Sequence, residues 1–161
     1  MTTEQADFMP TSALLAQEKQ LVFDTLDEVT CYRIGSWIAE SSLRDSRTVT
    51  VAVFLGDRIV YKTALPGTSV DNDVVIEGKR RVCLLGRHAS LYERNRYLEL
   101  GTTFQAATGM SLPDYAPYGG ALPLLSPAGE LQGLVIVSGL TQEEDHDLAI
   151  AGIEAARAGH R

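Results

Sequence analysis

The feature that most constrains this chain is a pair of β-rich runs that each fold back on a tight turn. The first is VTVAVFL, then Gly56-Asp57, then RIVYKTAL, and the second spans Ala121 to Leu125 and Leu131 to Ser138 around Ser126-Pro127-Ala128-Gly129. Glycine beside aspartate, or a Pro-Ala-Gly turn, between β-branched runs is the signature of a hairpin, and hairpin-joined strands favour an antiparallel sheet. Leu65-Pro66-Gly67-Thr68 ends the first hairpin, because proline cannot donate to a ladder.

Helical periodicity fills the remainder. Helices are expected over 11 to 20, capped by Thr11 or Ser12, and over 24 to 44, where Val29, Ile34, Trp37, Ile38 and Leu43 recur at spacings that line one face. A third helix is expected to start at a cap among Asp71, Asn72 and Asp73 and to stop at Gly86, followed by helices over 91 to 100 and about 104 to 108. A last helix over 142 to 158 opens on Thr141-Gln142-Glu143-Glu144, a capping-box pattern. The order predicts an α+β single domain over 11–161, with a central mainly antiparallel sheet and helices packed on it, behind a flexible lead-in over 1–10.

A chain of 161 residues that is 45% apolar is long enough to bury one continuous core. The formal charge of −7 repels phosphate backbones, so no nucleic-acid partner is expected. Glu4 and Asp7 stand where a secretory signal carries basic residues, and no run approaches the length of a membrane span, so a cytoplasmic protein with no membrane partner is expected. Cys31 and Cys83 are the only cysteines, and neither has a second ligand at metal spacing; both read as reduced core thiols.

The densest cluster of chemistry runs from Ser138-Gly139 through Asp145-His146, at a strand end and a helix start. Its glycine permits close approach and its free helical amides attract anions, although a stable helix start has the same look without any ligand. Lys79-Arg80-Arg81 is the one basic triplet, and helical spacing lets at most two of the three converge on a carboxylate. Arg87 and His88 stand just past the expected stop of that helix, Gly119-Gly120 precedes a strand, and Tyr115 and Tyr118 flank the same loop. The P-loop, the dinucleotide fingerprint, the GxSxG elbow and the HExxH site are all missing, and no Ser, His and Asp share a nucleophile's spacing. A conventional enzyme is therefore not expected.

The run GGALPLLSPAGELQGLVIVSGLTQEEDHDLAIAGI, residues 119 to 153, resembles the C-terminal signature of the HbpS/GlcG-like heme-degrading domain family. Upstream, LVFDTLDEV, ALPGTSVDND and EGKRRV resemble a small branch of that family found in bacteria and fungi. The resemblance implies a profilin-like fold, assembly into symmetric homo-oligomers, and binding of haem or another anionic small ligand. Under it Lys79 or Arg80 would pair with carboxylates, Gly119, Gly120, Ser138, Gly139 and Asp145 would line the cleft, and His146 or His88 would be the ligand to iron. The alternative is an assembly or protein-interaction module without catalytic activity, whose same residues build subunit contacts.

Overall fold

The computed structural model describes residues 8–159, so the first seven positions of the expected lead-in lie outside the described residues. Its elements are α1 (Thr11–Gln20), α2 (Glu28–Arg44), β1 (Thr50–Leu55), β2 (Arg58–Ala64), α3 (Val70–Gly86), α4 (Ser90–Glu99), α5 (Phe104–Thr108), β3 (Ala121–Leu125), β4 (Leu131–Ser138) and α6 (Gln142–Ala158). Both hairpins form, and the four strands make one antiparallel sheet in the order β2-β1-β4-β3. Leu55 pairs with Arg58, which leaves Gly56 and Asp57 as the two-residue loop their chemistry predicts.

Alternation along the strands decides the layers. Val51 and Val53 of β1 and Val135 and Val137 of β4 face one core with Ile34 and Ile38 of α2 and Ile153 of α6. Ala52, Phe54, Leu134 and Ile136 face a second core with Ile76 and Cys83 of α3. The sheet is therefore covered on both faces, giving one α+β domain of three layers. Cys31 and Cys83 are buried and unpaired. Among the described residues no helix is long and apolar enough to cross a membrane.

The helix faces correct the expectation for α2. Ile34 and Ile38 are wholly buried, each worth about 1.5–3 kcal/mol of transfer free energy, but Val29, Trp37 and Leu43 point outward with Tyr32. The helix is apolar on two sides, and the small residues Cys31, Gly35 and Ala39 select the side that lies closest to the sheet. At Gly35 a Cβ would strike the ring of Tyr61.

Three helix ends also differ from expectation. Ser69, not an Asx residue, caps α3: its hydroxyl accepts from the Asp71 amide, while Asn72 Oδ1 accepts from the Ser69 amide at 3.0 Å. Gly86 remains helical and Arg87 takes the left-handed cap at φ 58°; the glycine at 86 answers to packing instead, since the Glu93 carboxylate stands where its side chain would be. At α1 neither Thr11 nor Ser12 caps; Pro10 holds that position, and Glu99 of α4 accepts from Thr11 N at 2.8 Å and Thr11 Oγ1 at 2.7 Å. Thr141 caps α6 as expected, accepting from Glu144 N at 3.2 Å.

Candidate functional site

Most of the residues singled out in the sequence fall in two places at opposite ends of the β3–β4 hairpin. At the first, Lys79 of α3 reaches past the end of the sheet toward α6 on the other face. Its Nζ donates to Val137 O at 2.9 Å and to Asp145 Oδ2 at 3.0 Å. Gly120 opens that passage: φ there is 133°, and a Cβ would strike Val137 O and come within 2.8 Å of Lys79 Nζ, while a Cβ at Gly119 would strike Gln142 O.

Asp145 also accepts from the Gly139 amide at 3.3 Å and the Leu140 amide at 3.0 Å. The pair is almost wholly buried, and burial pushes the Lys79 ammonium below its ordinary pKa and the Asp145 carboxyl above its own, each partner opposing the shift of the other. Over it lies a cavity of about 400 Å³ lined by Asn72, Lys79, Tyr118, Ser138, Gly139 and Asp145 among others. Lys79, Gly119, Gly120, Ser138, Gly139 and Asp145 are thus brought together, but the charge of Lys79 is already cancelled.

The second place forms between α1, the end of α3 and the β3–β4 turn. His88 lines a cavity of about 520 Å³ there, together with Leu15, Lys19, Val22, Arg87 and Leu125. Glu18, itself buried, accepts from the Ala89 amide at 2.6 Å and holds His88 Nδ1 at 2.8 Å. That contact orients the imidazole and leaves Nε2 without a partner among the described residues. Tyr92 packs on the ring with centroids 4.5 Å apart. Behind it, burial raises the Glu93 carboxyl above the ordinary carboxylate range, with His88 and Glu18 both within electrostatic reach. Among the described residues, neither Lys19 nor Arg87 has a counter-ion.

The other two candidates lie away from both cavities. Arg80 pairs with Glu77 at 3.0 Å and Asp57 at 3.7 Å and stacks over Phe54, so it ties α3 to the first hairpin. His146 is 1% exposed and its Nε2 meets Gln17 Oε1 at 2.8 Å, fastening α1 to α6. Burial pushes its pKa down to about 4, and its Nδ1 has no partner among the described residues. An iron ligand needs a face open to the group it binds, which His146 lacks and His88 has. Sequence reasoning missed Glu18 and Lys19, which sit on an α1 whose surroundings only the tertiary fold supplies. Among the described residues no cluster of three or more His, Cys, Asp or Glu side chains is arranged for a metal ion.

Comparison with known proteins places the chain in a family. The family model described as haem degrading protein HbpS-like matches residues 26–154. A UPF0303 protein of Streptomyces avermitilis is 33% identical over 94% of this chain and 93% of its own, and one of Psychromonas ingrahamii is 31% identical over 85% and 86%. Among solved structures, Ybr137w superposes with a TM-score of 0.84 at 24% identity, covering 94% of this chain and 90% of that one. The PduOC:Heme complex superposes at 0.67 with 17% identity over 81% and 94%. HbpS superposes at 0.62 with 17% identity over 84% and 90%. At such identities the structures speak for a shared fold.

Proposed function

Because this chain belongs to the HbpS-like family of haem-degrading proteins, we propose that it binds haem or another anionic small ligand, in the cavity lined by His88. The observation that carries the reading is the pairing of an oriented imidazole with two uncancelled cations. Glu18 fixes His88 Nδ1 and frees Nε2 for iron, and the apolar side chains of Leu15, Val22 and Leu125 suit the face of a macrocycle. Arg87 and Lys19 supply positive charge for propionates, with the guanidinium able to hold a carboxylate through two parallel hydrogen bonds. Haem held there would bring an iron centre able to activate oxygen or peroxide. Lys79 and Arg80, whose charges are met by Asp145, Glu77 and Asp57, are released from the carboxylate role.

Hemin titration followed at the Soret band tests this. A saturable, stoichiometric shift is expected, abolished by His88→Ala at unchanged mass and retained by His146→Ala. A featureless titration, or a shift indifferent to His88→Ala, contradicts the reading.

Self-association is a second reading, supported by the outer face of α2. Val29, Tyr32 and Leu43 are each more than half exposed there (54%, 58% and 56%), and Tyr61 of the edge strand β2 extends the apolar surface through its ring contact with Tyr32. Light scattering is expected to give a mass above that of one chain, reduced by the double change Tyr32→Glu and Leu43→Glu. A monomeric native protein contradicts it.

A further inference from the structure

Tyr118, just before Gly119-Gly120, and Ser138-Gly139 line the first cavity, which haem at His88 leaves unused. Its chemistry is that of a donor-lined pocket with no net charge. An ammonium has three N–H donors. Val137 O and Asp145 Oδ2 accept two from Lys79, leaving the third for an acceptor in the cavity that Lys79 lines. Ser138 is only 4% exposed; its hydroxyl accepts from Asn72 Nδ2 at 3.4 Å, and its own proton has no acceptor among the described residues. The Tyr118 hydroxyl and the Gln142 amide N–H, on the same lining, also have no acceptor among the described residues.

Acceptors are scarce by comparison. Asp145 is closed off by Lys79 and by the amides of Gly139 and Leu140, and Asn72 Oδ1 is engaged by the Ser69 amide. An anion entering here would lie beside Asp145 and a cation beside Lys79, each shedding its hydration without gaining a counter-ion. Val75 and Leu140 provide the apolar part of the wall.

We infer that this cavity is a second ligand site, for a small uncharged carbonyl compound without N–H donors, such as a ketone. The carbonyl oxygen accepts from Lys79, Ser138 and Tyr118, and the apolar body rests on Val75 and Leu140. A volume of about 400 Å³ lies within the range of small-molecule sites and admits one aromatic ring with its substituent.

A shape-matched series of differing charge tests the inference by NMR titration of the amides of Gly119, Gly120, Gly139 and Leu140, using acetophenone, benzoate and benzylammonium as probes. Acetophenone is expected to give saturable shifts at these four amides, with the two ions about tenfold or more weaker. Tyr118→Phe, at a position 38% exposed, and Ser138→Ala are each expected to weaken acetophenone about two- to tenfold, the value of one hydrogen bond. His88→Ala leaves acetophenone binding unchanged, so the result stands apart from the haem reading. Benzoate binding as tightly as acetophenone, acetophenone shifts that neither donor variant weakens, or no saturable shift at all, overturns it.

Discussion

Lys79→Ala is expected to lower the unfolding free energy by about 3–5 kcal/mol, because it leaves the Asp145 carboxylate buried without its cation. The burial of both partners, at 3% and 2% side-chain exposure, is what makes the effect large. An exposed pair such as Lys62 with Asp73, at 43% and 38%, is worth at most about 1 kcal/mol. The double change Lys79→Met and Asp145→Asn is expected to recover at least half of the loss, since it removes both charges and leaves a side-chain carbonyl oxygen to accept from one of the Gly139 and Leu140 amides. Urea denaturation of the three proteins at pH 7 measures this directly. A single variant that costs less than about 1 kcal/mol, or a double variant no better than the single, refutes the account of this pair.

The second large effect is a dependence on pH centred on His146. Its pKa is about 4 in the folded protein against 6.5 for the free side chain, with burial as the cause. The unfolded chain therefore takes up the proton first. The stabilising contribution is complete above about pH 6.5 and is lost as the pH falls through that value toward 4. A shift of that size corresponds to about 3 kcal/mol across the window. His146→Gln keeps a donor toward Gln17 and removes the titration, so the native protein is expected to lose about 3 kcal/mol more than the variant between pH 7 and pH 4. Asp145 and Glu93 have raised pKa values and act with the opposite sign, but they are common to both proteins and cancel in the difference. Parallel stability curves for the two would refute the assignment.

Local chemistry made most of the fold legible. Gly56-Asp57 and the Pro-Ala-Gly turn dictated hairpins, and the strand limits Ala121–Leu125 and Leu131–Ser138 follow from the β-rich runs between turn signals. What periodicity could not decide was which side of α2 faces the sheet, because that helix is apolar on two sides and the choice rests on Gly35 meeting Tyr61. The Gly86 stop failed for a related reason. A glycine is read as a helix terminator unless one knows that Glu93, seven residues on, claims the space of its side chain.

The candidate site was legible as a set of residues and not as a geometry. Lys79, Ser138, Gly139 and Asp145 do share a cavity, yet nothing local reveals that Asp145 cancels the charge of Lys79. The sequence presents His146 and His88 as equals. Only the packing of α1, which buries one against Gln17 and leaves the other beside Glu18 with a free nitrogen, separates them.

The most direct test of the central claim is a crystal structure of the protein soaked with hemin. The account predicts iron within bonding distance of His88 Nε2, with the propionates toward Arg87 or Lys19. Haem density over Lys79 and Asp145, or no ordered haem in crystals whose His88 cavity is open to solvent, would contradict it.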